Sequence, residues 1–136
     1  MVQIVVTYQG DLHCLTEHGP SGAKLTTDAP KDNEGQGASF SPTDLVGTAM
    51  GTCMLTIMGI AARRHDWDLR NARVTVEKIM ATAPARRIMR LEVVFEMPPG
   101  LDSSARKVLE NAALTCPVHR SLHPDVEIPI EFRYPD

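Results

Sequence analysis

The alternation of apolar and polar residues predicts three strands near the N-terminus. From Val2 to Tyr8 every second residue is apolar or aromatic, which is the period expected of a strand with one buried face. Polar turns separate this segment from a second strand over 12–17 and a third over 23–27. The polar, glycine-rich segment 28–40 that follows is predicted to be a loop, and its length suggests a function.

A long helix is predicted to begin at Pro42. Ser41 suits the N-cap, proline is favoured at the first helical position, and Asp44 completes a short capping box. The helix should continue to about Arg64. The run 45–62 carries no charge, but its glycines and threonines favour a helix buried within the protein over a membrane span.

Three glycines of this helix, Gly47, Gly51 and Gly59, are spaced by four and eight residues and therefore share one face. In a helix interior, glycine is less favourable than alanine by about 1 kcal/mol. We therefore expect the backbone of a neighbouring segment to approach closely along this face and to compensate for that cost.

The remainder of the chain is predicted to contain two strands, a second helix and a last strand. Alternation is strong over 89–97, and this strand should form a hairpin with a strand around 74–76. Apolar residues at helical spacing run from Leu101 to Cys116. The last strand is expected over 126–134.

The element order is therefore βββ-α-ββ-α-β, which predicts an α+β fold with two central helices against antiparallel sheets. Pro129 cannot donate to a strand ladder, so the last strand should lie at an edge or turn this residue away from its neighbour. A chain of 136 residues suits one domain, and we assign 1–136 to it.

Composition and charge argue against several classes of function. A net charge of −3 gives no basic surface for nucleic acid, and the single Trp, two Tyr and three Phe offer little stacking area for bases. The N-terminal sequence lacks the pattern of a secretory signal. Three cysteines, an odd number, argue against a secreted disulfide scaffold. We expect a cytoplasmic protein that binds neither nucleic acid nor membrane.

The three cysteines suggest redox chemistry, metal binding or packing. Cys53 lies in the uncharged helix, where an unreactive buried thiol is the ordinary alternative. Cys14 lies in a short strand and is expected to pack. The absence of any Cys-x-x-Cys pair argues against zinc, so we predict neither a metal nor a cofactor.

Cys116 directly precedes Pro117, and proline disfavours helical geometry at the residue before it. If a new turn begins at Pro117, Cys116 becomes its N-cap, and unpaired N–H groups there would stabilise a thiolate. His119 and Arg120 could add positive charge. The alternative is a structural cysteine that ends a helix.

Two motifs, taken together, resemble the OsmC/Ohr family, named for osmotically inducible protein C and organic hydroperoxide resistance protein. The first is the run 41–45, Ser-Pro-Thr-Asp-Leu, which ends eight residues before Cys53. The second is the run 116–122, Cys-Pro-Val-His-Arg-Ser-Leu, at the end of the second helix. The element order also looks like that of the family, and the resemblance covers nearly the whole chain.

The resemblance implies a thiol peroxidase for organic hydroperoxides, alkyl or lipid, in oxidative-stress defence. By position, Cys53 would be the thiolate that attacks the O–O bond and becomes a sulfenic acid, and Cys116 would resolve it as a disulfide. A lipoyl-type or small-molecule dithiol would then reduce the disulfide. The resemblance also implies an intertwined homodimer with two active sites at its interface.

Two supporting residues expected from the resemblance are replaced in this chain. A glutamate ten residues before the first cysteine and an N-terminal arginine would hold the thiolate charged. Here the glutamate position is Thr43, with Asp44 beside it, and no arginine precedes Arg63. Lys31 in the long loop is the first candidate to replace the arginine, as a point charge rather than a fork. The alternative function is an OsmC-like stress or thiol-binding protein with little or no turnover.

Overall fold

The computed structural model describes residues 1–136 and confirms an α+β architecture with two three-stranded sheets. In chain order the elements are β1 (Ile4–Gly10), β2 (His13–His18), β3 (Lys24–Asp28), a 3-10 turn (Lys31–Asn33), α1 (Pro42–Arg64), β4 (Arg73–Ala81), β5 (Arg87–Glu96), α2 (Ser103–Ala113), α3 (Pro117–Ser121) and β6 (Ile130–Arg133). The chain divides into two compact units, Met1–Val46 and Gly47–Asp136, and the boundary falls within α1.

The first unit contains an antiparallel sheet in the order β1-β2-β3. The three predicted strands are confirmed, each with bounds shifted by one or two residues. Cys14 lies on the central strand, paired with Tyr8 on one side and Thr27 on the other. Its side chain is half-buried, so the expected packing role is met only in part.

A buried carboxylate organises the loop that follows β3. The Asp28 side chain is fully enclosed, and its Oδ2 accepts a hydrogen bond from the Ala38 amide at 2.9 Å. His13 places Nε2 3.2 Å from Oδ1. The Ala38 hydrogen bond is the main cause of a lowered pKa for Asp28; burial opposes it, and His13 and the amides of Gln36 and Ala29 support it.

The start of α1 matches the prediction in detail. The Ser41 amide donates to Asp44 Oδ2 at 2.8 Å, and the Asp44 amide donates to Ser41 Oγ at 3.1 Å. This reciprocal pair is a capping box. The helix begins at Pro42 and ends at Arg64, as the sequence indicates.

Three methionines one turn apart, Met50, Met54 and Met58, form the buried face of α1 within the second unit, and each is 0% exposed. Unbranched thioether side chains can fill irregular space in a core. By length and composition alone α1 could cross a membrane, but the core helix of a soluble protein passes the same test.

The space available for a side chain differs among the three glycines of α1. A Cβ at Gly47 would lie 3.5 Å from Val76, and one at Gly51 would lie 3.1 Å from Val74 and 3.2 Å from Val76. The close neighbours are thus side chains of β4, where a backbone was expected. The expectation is wrong for Gly59, since a Cβ there would meet nothing within 4 Å.

The second sheet departs from the predicted antiparallel pairing at its last strand. β4 and β5 form the expected antiparallel hairpin, but β6 pairs in parallel with β5. The connection from β5 to β6 passes through α2 and α3, and a long crossover of this kind returns the chain in the same direction. β6 is also shorter than the predicted 126–134. β6 lies at the sheet edge, as predicted from Pro129. The Pro129 carbonyl accepts a hydrogen bond from the Val93 amide at 2.9 Å.

The core of the second unit contains apolar residues from β5, from α2 and from the turn just before α2. The buried residues are Leu91, Val93, Phe95, Leu101, Ala105, Leu109 and Ala113. Asp102 is the N-cap of α2, and its Oδ1 accepts the Ala105 amide at 2.8 Å. α2 ends at Ala113, so the helix predicted to reach Cys116 is three residues shorter. This early end places Cys116 in the turn before α3.

Candidate active site

Cys53 and Cys116 come together although they are distant in sequence. Cys53 lies midway along α1, and Cys116 lies between α2 and α3. The Cys53 side chain lies near enough to the Cys116 thiol to raise its pKa, and neither cysteine is in a disulfide. Two free thiols near each other form the arrangement from which a disulfide can arise.

Cys116 is the N-cap of α3, as Pro117 predicts. Its Sγ accepts a hydrogen bond from the His119 amide, with N and S 3.5 Å apart, and the proline occupies the start of the helix. The Val118 amide also favours negative charge on this sulfur. Val118 was not identified from the sequence, although the backbone N–H two positions after an N-cap commonly donates to the capping side chain.

The electrostatic effect of this position differs from the prediction. Cys116 is 0% exposed, and burial raises the pKa of its thiol. The neighbouring Cys53 side chain raises the pKa further, and the amides of His119 and Val118 oppose both effects without reversing them. The expected stabilised thiolate at Cys116 is therefore wrong, because the net effect is a raised pKa. Cys116 keeps its proton more firmly than an ordinary cysteine.

The two predicted cations near Cys116 contribute through their backbones. His119 donates its amide to the sulfur, and Arg120 donates its amide to the Cys116 carbonyl at 3.1 Å. Neither side chain hydrogen bonds a thiol, and Arg120 is exposed. The His119 side chain lines a cleft of about 300 Å³ together with His123 and apolar residues of the turn into β6. No group of three side chains in the chain could hold a metal ion.

The other predicted site residues lie in the first unit. Asp44 closes the capping box, and Thr43 Oγ1 lies 3.2 Å from Ser41 Oγ. Lys31 begins the 3-10 turn of the loop, where it is exposed and its aliphatic stem lies over Gly37. The roles of Lys31, Thr43 and Asp44 in supporting a thiolate stay predictions.

Comparison with known proteins leads to one family. A family model described as OsmC-like protein matches residues 35–131. Comparison with curated proteins gave no significant match. A crystal structure from Psychrobacter arcticus 273-4, provisionally named as an osmotic stress induced and detoxification response protein, is 42% identical. It superposes with a TM-score of 0.92 over 98% of this chain and 96% of that one.

Two organic hydroperoxide resistance proteins share the fold at much lower identity. The protein from Legionella pneumophila is 16% identical, with a TM-score of 0.77 and coverage of 97% of this chain and 96% of that one. The protein from Elizabethkingia anophelis is 13% identical, with a TM-score of 0.77 and coverage of 98% and 96%. At this identity the likeness is one of fold.

Proposed function

Since the chain belongs to the OsmC-like family, we propose that it is a thiol peroxidase that reduces organic hydroperoxides through Cys53 and Cys116. The observation that carries this proposal is that two free thiols from distant parts of the chain lie near each other, with Cys53 half-buried on α1 and Cys116 fully buried at the start of α3. Hydroperoxide resistance is the named role of two proteins with the same fold.

The proposed reaction uses the two sulfurs in turn. The Cys53 thiolate attacks one oxygen of the hydroperoxide, the O–O bond breaks, and the other oxygen takes a proton and leaves as the alcohol. Cys53 is now a sulfenic acid. The Cys116 sulfur attacks the Cys53 sulfur, its proton joins the departing hydroxyl as water, and a disulfide forms. A dithiol reductant restores both thiols and leaves as a disulfide.

The surroundings of the two sulfurs support this division of roles. A peroxide must reach the sulfur that it oxidises, and Cys53 is the more accessible of the two. Since burial raises the pKa of the Cys116 thiol, Cys116 keeps the proton that the departing hydroxyl takes up as the disulfide forms.

The test is consumption of cumene hydroperoxide with dihydrolipoamide as reductant. Cys53→Ser should abolish turnover, and Cys116→Ser should consume about one equivalent of peroxide and stop at a sulfenic acid on Cys53. The matched control is Cys14→Ser, which should retain the wild-type rate. Turnover that survives in the Cys53→Ser variant would exclude the proposed role of Cys53.

One observation favours a second candidate, a stress or thiol-binding protein with little turnover. The chain has no arginine before Arg63 and has Thr43 where the resemblance implies glutamate. Without such groups a thiolate would be stabilised less. This candidate predicts that Cys53 forms mixed disulfides with small thiols while peroxide consumption is no faster than in the Cys53→Ser variant.

We also propose a homodimer. β1 exposes Ile4, Val6 and Tyr8, which are 59%, 59% and 64% accessible. These three side chains share one strand face. An exposed apolar strand face is suited to pairing with a second copy.

A further inference from the structure

We propose that the reducing dithiol attacks the Cys53 sulfur of the oxidised pair, so that the transient mixed disulfide forms on Cys53 and Cys116 is the leaving group. This inference rests on the proposed peroxidase cycle and adds the order in which the disulfide is opened. It defines Cys53 as the one position where an external thiol becomes covalently bound during turnover.

The first argument is access. Thiol–disulfide exchange needs direct contact between the attacking thiolate and the sulfur that it attacks. Cys116 is 0% exposed, whereas Cys53 is partly exposed along α1. An incoming thiol can therefore reach only the Cys53 sulfur without rearranging the α2–α3 turn.

The second argument concerns the leaving sulfur. When the S–S bond breaks, the electron pair passes to Cys116, whose sulfur accepts a hydrogen bond from the His119 amide at 3.5 Å. This N–H group lessens the cost of the departing negative charge. Burial disfavours that charge, so Cys116 takes up a proton as the bond breaks.

Atoms and electrons balance in both thiol–disulfide exchange steps between the reductant and the protein. The first thiolate of the reductant bonds to the Cys53 sulfur, the protein disulfide breaks, and Cys116 takes up one proton. The second thiol of the reductant ionises and attacks the reductant's own sulfur in the mixed disulfide. Cys53 leaves as a thiolate, and the reductant departs as an intramolecular disulfide. Two electrons pass from the dithiol to the protein.

The experiment uses the Cys14→Ser chain, in which only the two site thiols remain. Diamide oxidises this pair without peroxide, so the outcome does not depend on peroxidase activity. Glutathione, a monothiol that cannot complete the second step, then opens the disulfide, iodoacetamide blocks the released thiol, and peptide mass spectrometry locates both groups. We expect glutathione on Cys53 and alkylation on Cys116, with an excess of at least about tenfold over the reverse. Glutathione mainly on Cys116 would overturn the proposal.

A second measurement decides the case in which diamide forms no disulfide. In the same background, Cys116→Ser leaves only Cys53, and Cys53→Ser leaves only Cys116. We expect the first variant to react with an aromatic disulfide such as 5,5′-dithiobis(2-nitrobenzoate) at least about tenfold faster than the second, with both variants folded by circular dichroism. Equal rates, or a faster Cys116, would refute the proposal. Failure of peroxide turnover alone would count against the peroxidase cycle and not against this order of attack.

Discussion

The His119 amide lies 3.5 Å from the Sγ of Cys116, yet this thiol is harder to ionise than an ordinary cysteine. The N-terminal end of a helix stabilises a thiolate, whereas enclosure in a protein interior destabilises it. At Cys116 enclosure has the larger effect. A cysteine at the start of a helix is thus activated only when enough solvent, or a cation, remains beside it.

The raised pKa of Cys116 predicts an alkaline loss of stability. Because the folded pKa lies above the ordinary value of 9.0, this thiol stabilises the fold fully below about pH 9. That contribution is lost as the pH rises through the folded pKa. Urea unfolding of reduced wild-type protein and of Cys116→Ala at pH 7, 9 and 10 measures the effect. The stability difference between the two should shrink with rising pH. A constant difference would contradict the raised pKa.

Two glycines of α1 form a matched pair for substitution. Gly59→Ala should raise the free energy of unfolding by about 1 kcal/mol, because alanine is the better helix former and its Cβ meets open space. Gly51→Ala gains the same propensity but forces a methyl group against Val74 and Val76 on β4. We expect it to be at least about 1 kcal/mol less stable than Gly59→Ala in urea unfolding. Equal free energies of unfolding for the two variants would show that Val74 and Val76 on β4 move aside at no cost.

Asp28 is expected to hold the loop that contains Lys31. In Asp28→Asn, amide exchange at Ala38 and Gln36 should quicken, because the charged acceptor of these N–H groups is lost. The lowered pKa of Asp28 also means that its stabilising effect is present above about pH 4 and is lost as the pH falls through the folded pKa. Hydrogen exchange by mass spectrometry tests the first effect and acid unfolding the second. His13→Asn should have a smaller effect on both measurements, since His13 contributes less than the Ala38 amide to the lowered pKa of Asp28.

The proposed role of Lys31 can be tested against a second lysine of the same unit. Lys31 is exposed at the start of the 3-10 turn. Lys31→Ala should slow peroxide consumption while the free energy of unfolding stays within about 0.5 kcal/mol of wild type. Lys24→Ala, also a loss of one exposed charge, should leave both unchanged. If the two variants consume peroxide equally fast, Lys31 does not support the thiolate.

The proposed dimer predicts a mass of twice 14.9 kDa in light scattering at micromolar concentration. Val6→Lys places a charge on the exposed face of β1 and should weaken association, whereas Lys24→Ala should not. Circular dichroism checks that both variants stay folded. A stable, folded wild-type monomer would contradict the proposal.

The sequence predicted those features that depend on neighbouring residues. The start of α1 follows from Ser41, Pro42 and Asp44, and the N-cap role of Cys116 follows from Pro117, since caps and proline act within one turn. Both were found where the local sequence placed them.

Features that depend on distant residues were not predictable in the same way. The parallel pairing of β6 follows from the path of the chain through α2 and α3. The raised pKa of Cys116 follows from how completely other segments enclose its side chain. The pair of Asp28 and His13 joins two strands whose register the alternation pattern leaves open. No short-range signal in the sequence encodes these relationships.

The buried methionines of α1 report whether a molecule was folded or unfolded when it met an oxidant. Met50, Met54 and Met58 have no accessible surface in the folded chain, and methionine sulfoxide is too polar for such a site. A molecule that meets oxidant while folded should keep all three thioethers, and one that opens first should acquire sulfoxides and fail to close again. The ratio of oxidised thiol to oxidised thioether, measured on single peptides, would thus separate molecules that reacted while intact from those that were damaged after unfolding.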